Sequence, residues 1–398
     1  MAYRLLNKER QTYLREDAEE TLHRINRLIF DFDGVIVQTS QSYRQTIRKV
    51  IDYYFLEILS LEGEDGNLAT LRDIQKFKDT GLYNNDWNLS YAFITYYLNL
   101  ILRELEQKSA FTDFAKRFRN LQFSNAENFI QKLREVGSFL KQNGVNVTAL
   151  ANLKNNDVVG LDLFLAQVNL KKPKTIETSL MSVNSEIENE KKRLTKQLIP
   201  YDLEKPDLLK RLFEEAYLGR ELFNKFYGFP SLFKFDESFI DKETFTPTKE
   251  TLDALHQNFG KFGIYSGRPR TQGIFILEKY NCAEYFNEEE SVFLGDLLKS
   301  EAEMERLGKP DPTLFIELVK ESFGNASGVA YVGDGIADAL LIENARSEGL
   351  DYLFFLGVLS SSEDSTELLT EYAKHGADAV MTDVNDIPEI LSSQEGSD

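Results

Sequence analysis

Residues 27–44, RLIFDFDGVIVQTSQSYR, set two carboxylates, Asp31 and Asp33, directly behind an apolar run and directly ahead of a glycine. Leu28, Ile29 and Phe30 have the composition of a strand covered on both faces, and ligands of open parallel sheets gather at the carboxyl ends of such strands. Two acids held there repel each other unless positive charge intervenes. A divalent cation is the simplest source of it, and Gly34 lets the backbone turn closely around the ion. The same residues also fit a strand followed by an ordinary Asp-Gly turn, so the rest of the chain has to decide.

Three further stretches occupy equivalent places. In FGIYSGRPR, Ser266 ends an apolar run and is followed by Gly267 and Arg268. A hydroxyl and the backbone N–H groups of a glycine turn make a small anion cradle, although a plain Ser-Gly turn reads the same way. In RLGKPDP, Lys309 stands between a glycine and a proline, where a fixed ammonium can meet an anion as a point charge. Most lysines are simply solvated, so this stretch alone decides nothing. In VAYVGDGIADALL, an apolar run ends at Gly333 and Asp334, and Asp338 follows. A helix beginning near Gly335 keeps both carboxylates near one strand end, within reach of a common metal, or else makes Asp338 a capping acid.

Together and in this order, DFDGV, YSG, GKPDP and GDGIAD resemble the four signature motifs of the haloacid dehalogenase (HAD) superfamily of hydrolases. The resemblance covers about residues 27–40 and 246–385 and is of the subfamily I type. It implies an α/β fold, a Rossmann-like parallel-sheet core, with an all-helical cap inserted between the first and second motifs. Domains of 1–40 with 246–398 for the core and 41–245 for the cap follow, the cap being unusually large. Within it, NNDWNLSYAF and YLGRELFNKFYG resemble elements of a long-cap branch. The resemblance makes Asp31 the nucleophile that forms an aspartyl-phosphate and Asp33 the general acid and base. It implies Mg²⁺ held by the Asp31 side chain, the Asp33 backbone carbonyl and Asp334, with Asp338 outside the direct ligands. Ser266, Gly267 and Lys309 would hold the transferring phosphoryl group, while Arg268 either adds to them, contacts substrate or packs as surface. Dehalogenating members lack the second aspartate, so Asp33 favours phosphoryl chemistry.

The implied activity is a Mg²⁺-dependent phosphatase acting on a small phosphorylated metabolite. A phosphomutase or phosphotransferase would share every core residue, and a non-catalytic binding protein that kept the fold would have no need of all four motifs. Composition narrows the field in the same direction. The net charge of −19 argues against nucleic-acid or anionic-membrane partners, which require clustered Lys and Arg. Lys171–Lys174 and Lys191–Arg193 lie beside acids and read as solvated surface. His23, His256 and His375 all lie away from the motifs, which turns the search toward carboxylates. The single cysteine, Cys282, reads as a buried filler. No apolar run approaches the ~20 residues of a membrane span, and the charged amino terminus is unlike a signal peptide, which predicts a cytoplasmic protein.

The elements that must position these groups can be read from periodicity. Short apolar runs at Gly260–Tyr265, Val292–Leu294, Val329–Val332, Tyr352–Leu356 and Ala379–Thr382 predict strands of a parallel sheet. Tyr43–Leu59, Leu89–Leu105, Phe129–Leu140 and Pro206–Phe226 have helical spacing, and residues 171–200 read as a loop leading into an exposed helix. A helix over Lys8–Ile25 is predicted to pack on the sheet, and the tail SSQEGSD to fray. Ahead of Leu89, the stretch Asn84, Asn85, Asp86 and Trp87 reads as a helix cap or as a substrate-reading loop. The aromatic-rich helical segment also offers surfaces for a homodimer.

Overall fold

The computed structural model describes residues 2–78, 86–121, 125–156, 160–171, 186–199, 208–298, 300–360 and 365–392. The chain divides into two compact units, one of Met1–Thr39 with Glu243–Asp398 and one of Ser40–Lys242.

The first unit is an α/β structure. Its strands are β1 (Tyr3–Asn7), β2 (Thr12–Arg15), β3 (Arg27–Phe30), β4 (Val37–Gln38), β5 (Thr244–Phe245), β6 (Gly263–Ser266), β7 (Val292–Phe293), β8 (Val329–Gly333), β9 (Leu353–Val358) and β10 (Ala379–Met381). Eight of them form one sheet in the order β1-β2-β10-β9-β8-β3-β6-β7, and β4 pairs with β5 in a separate antiparallel ladder. From β10 to β7 every pairing is parallel. Val, Ile, Leu and Phe fill these strands because helices cover both faces; all residues of β8 and β9 are buried. Strand β3 lies between β6 and β8, so chain connections diverge on either side of it, and the carboxyl ends of these three strands converge at the switch point. Below that point Tyr265, Phe315 and Tyr331 pack edge to face at centroid separations of 5.1 and 5.2 Å, a rigid floor for what stands above.

The predicted strands all form, with ends shifted by a few residues, but the predicted helix over Lys8–Ile25 does not. That segment contains the hairpin β1–β2, turned at Gln11 with φ 51°, and a short 3₁₀ turn at Leu22–Arg24. Leu14, Ala18, Leu22 and Ile25, which recur at helical spacing within it, are all buried. The apolar face is therefore real, but β2 finds backbone partners in β10, and this tertiary pairing overrides the local pattern.

The second unit is helical. Its helix Asp86–Gln107 is apolar nearly all round, and most of its length from Asn88 to Leu105 is buried, as expected of a central helix. Tyr43–Tyr53 passes into a π-helical turn at Tyr54–Ile58, where a continuous helix to Leu59 is expected from sequence. Tyr43 stacks on Tyr217 of the helix Leu208–Tyr227 at 4.8 Å. That helix kinks at Gly219 (φ 70°), where an added Cβ would lie 3.1 Å from the Glu237 carbonyl oxygen. Lys191 is buried and ion-paired with Glu106 at 2.5 Å, so one member of its basic cluster is not solvated surface. Lys172–Lys174, Asn84, Asn85 and the last six residues lie outside the described residues. No helix among the described residues is long and apolar enough to cross a membrane.

Candidate active site

Asp31 follows the last residue of β3, and its N–H donates to the Val332 carbonyl of β8 at 2.8 Å, so sheet pairing fixes its backbone. Its Oδ1 accepts from the Phe32 N–H at 2.7 Å and its Oδ2 meets Lys309 Nζ at 2.7 Å. The chain then turns sharply, with the N–H groups of Ile36 and Val37 both donating to the Phe32 carbonyl. Gly34 carries this turn at φ 76°, and a Cβ there would fall 1.8 Å from Asp334 Oδ2. Only glycine therefore lets the first acidic turn approach the second so closely.

Carboxylate oxygens of Asp31, Asp334 and Asp338 lie within 4.8 Å of one another. Lys309 reaches into this group, its Nζ 2.8 Å from Asp338 Oδ1 as well as on Asp31. Burial pushes Asp31 up to about 7 against the pull of Lys309, with Asp338 and Asp33 pushing the same way as burial. For Lys309 burial works downward, but the two carboxylates outweigh it and hold the ammonium above its ordinary range.

Asp338 differs from its neighbours. Its Oδ1 accepts from Tyr331 Oη at 3.0 Å besides Lys309, and its Oδ2 accepts from the N–H groups of Asp334 and Gly335 at 3.2 and 3.0 Å. Four partners use its acceptor capacity, so it shapes the turn after β8 and anchors Lys309. Tyr331, unmarked by sequence reasoning, belongs to this arrangement; its one signal is its place in the strand that ends in Gly333-Asp334. Ser266 ends β6 and is buried, with Oγ accepting from the Arg268 N–H at 3.3 Å. An added Cβ on Gly267 would meet nothing within 4 Å, so the turn after Ser266 borders open space.

Arg268 does not pack as surface. It is buried, donates through Nε to Asp33 Oδ1 at 3.0 Å, and is paired with both oxygens of Glu243. The expected surface packing is overturned, because two carboxylates on separate chain segments enclose the guanidinium. Glu243 was invisible in the sequence, since nothing in IDKETF marks a partner in the distant second motif. Asp86 and Trp87 fall in the first turn of the helix Asp86–Gln107 and not in a loop ahead of it, with Trp87 under Lys210 Nζ at 4.3 Å from the ring centroid. Cys282 is buried, its thiol pushed up to about 12 by that burial, which suits a filler.

The haloacid dehalogenase-like hydrolase family model matches residues 25–346. A phosphoglycolate phosphatase of Vibrio parahaemolyticus is 33% identical over 137 residues, 34% of this chain; the match spans 52%, about half, of that relative's length. An X-ray structure solved as a structural-genomics target shares 19% identity at a TM-score of 0.60, covering 93% of this chain and 99% of that one, and shows the same fold. A phosphatase of Thermococcus thioreducens is 20% identical with the same coverage at a TM-score of 0.44, too low to add to the fold assignment. With the matched region running from just ahead of β3 into the helix Ile336–Ser347 and containing all four motifs, the chain belongs to the haloacid dehalogenase-like hydrolases.

Proposed function

We propose that the protein is a Mg²⁺-dependent phosphatase that hydrolyses a small phosphorylated metabolite through an aspartyl-phosphate on Asp31. The observation that carries this reading is the surplus of carboxylate at the switch point: Asp31, Asp334 and Asp338 gathered within 4.8 Å, with Lys309 as the ammonium among them. An all-oxygen acidic group of this kind fits a hard divalent cation. Because Asp338 is saturated by protein donors, Asp31 and Asp334 are the side chains that would hold the metal, together with the Asp33 carbonyl. A bound Mg²⁺ would supply positive charge opposite the phosphoryl oxygens.

Asp31 then attacks phosphorus as its carboxylate, forming a P–O bond as the ester P–O bond breaks. Asp33 gives its proton to the departing oxygen. In the second half it takes a proton from the water that attacks the acyl phosphate, and Asp31 is restored. Lys309 fixes the Asp31 carboxylate and offers its ammonium to the transferring group, while Ser266 and the turn at Gly267 receive phosphoryl oxygens. The helical unit inserted between the motifs takes the part of a cap that selects the leaving group.

Phosphate release across a panel of phosphorylated metabolites tests the reading, with 2-phosphoglycolate included because the curated relative is named for it. Turnover that requires Mg²⁺ and disappears in Asp31→Asn is the expected result. Isomerised product without released phosphate, or full activity after exhaustive chelation, overturns it.

A further inference from the structure

We infer that Glu243 and Arg268 are a positioning device that sets the orientation of the Asp33 carboxylate, an inference that rests on the acid–base role proposed for Asp33 and adds Glu243 to the site. Arg268 Nε and one terminal nitrogen both contact the same oxygen of Asp33, Oδ1. Its two terminal nitrogens also grip Glu243 Oε2 and Oε1 at 2.9 and 3.0 Å, a fork that fixes the guanidinium plane. The Phe32 ring, 5.0 Å from Arg268 Cζ, bounds the same group. The outcome is asymmetric. Oδ1 of Asp33 is tethered, and Oδ2 receives none of these bonds. The Asp33 side chain is 31% exposed, while those of Arg268 and Glu243 are sealed at 0%.

A carboxyl group that moves a proton through one oxygen gains by having the other anchored, because rotation about its terminal bond would misdirect the transfer. Stability is a weaker explanation for the pair, since apolar residues of similar volume often match or exceed a buried Arg–Glu bridge. Glu243 is itself well held: its carbonyl accepts from Tyr280 Oη at 2.6 Å, and Thr244 beside it pairs with Gln38 in the β4–β5 ladder.

The test compares two leaving groups. kcat/KM reports steps up to departure of the alcohol, which needs a proton when the alcohol is alkyl and little help when it is 4-nitrophenolate. Glu243→Gln is expected to lower kcat/KM for an alkyl phosphate by roughly 10- to 100-fold and for 4-nitrophenyl phosphate far less, with folding checked by melting temperature. Asp33→Asn should show the same bias more strongly, and Glu243→Gln should add no further bias on top of it. Equal losses on both esters, or none, in a folded Glu243→Gln enzyme overturn the inference. An Asp33→Asn enzyme with undiminished alkyl turnover overturns the acid–base reading instead. If Glu243→Gln does not fold, Arg268→Lys, which keeps the charge and loses the fork, enters the same comparison: a loss biased toward the alkyl ester supports the inference, and an equal loss on both esters overturns it.

Discussion

Each unit of this chain contains a largely buried lysine paired with a buried aspartate, and in local geometry the two are nearly alike. Lys154 Nζ lies 2.6 Å from Asp73 in the helical unit, with side chains 8 and 11% exposed; Lys309 Nζ lies 2.7 Å from Asp31 in the sheet unit, at 13 and 11%. Their surroundings differ. Asp73 also accepts from the N–H and hydroxyl of Thr70 at 2.9 and 2.7 Å. Burial works against its charge, but Lys154 and these bonds hold it below the ordinary carboxylate range. Asp31 shares its lysine with Asp338 and has Asp334 beside it, and burial prevails, so its pKa rises. A buried ion pair is therefore no marker of function. The informative quantity is the local charge balance, closed around Asp73 and open around Asp31, and an open balance is what a cation and a phosphoryl group can complete.

The sharpest way to separate the pairs is at Asp31, the proposed nucleophile. Asp31→Asn should reduce phosphate release on the order of 10⁴-fold or more, because an amide cannot form the acyl phosphate; circular dichroism should show an intact fold. Lys154→Met should do the reverse. Leaving Asp73 charged and unpaired costs about 3–5 kcal/mol, read as a lowered melting temperature, while kcat per folded molecule is unchanged. Turnover lost along with stability would erase the distinction between the two pairs.

Proton linkage offers the next contrast. Asp31 binds its proton more tightly folded than unfolded, so in metal-free buffer its contribution to stability falls as pH rises from about 4 through about 7. Asp73 has the opposite sign: its contribution is present above the ordinary carboxylate pKa and is lost as pH falls through its lowered value. Melting curves at pH 5 and 8 should show the Asp31 contribution, and Asp31→Asn should remove it. Adding Mg²⁺ should then raise the melting temperature of the wild type, by about 2.7 kcal/mol of stability at a hundredfold excess over Kd, and should do nothing for Asp334→Asn. The smallest effect is expected at Asp86, in the first turn of its helix, where Asp86→Ala should cost about 0.3–1 kcal/mol and change kcat/KM for alkyl and aryl phosphates alike.

What sequence revealed follows the reach of each interaction. Asp31, Ser266 and Asp334 were legible as candidates because each lies in a short segment whose apolar run and turn residues are contiguous, and Lys309 because a glycine and a proline flank it. The hairpin at the amino terminus was not, since its apolar spacing suits a helix and only pairing with β10 makes it a strand. Glu243 lay beyond sequence reasoning for a similar reason: its meaning depends on Arg268, and no local pattern links them. The saturation of Asp338 by four donors was equally hidden, because two of those donors are backbone N–H groups and carry no side-chain signal.

The small β4–β5 ladder has a consequence for how such a chain can diversify. The polypeptide leaves the sheet unit just beyond Gln38 and returns just ahead of Thr244, and these two residues are hydrogen-bonded neighbours, about 5 Å apart as adjacent strands are. The closure entropy of whatever lies between grows only with the logarithm of its length. From the sheet's side, a segment of any size can therefore be lengthened, shortened or exchanged at little thermodynamic penalty, while Asp31 and Asp33, fixed upstream of the ladder, keep their places. The doorway is built into the sheet unit, and what hangs from it is free to evolve.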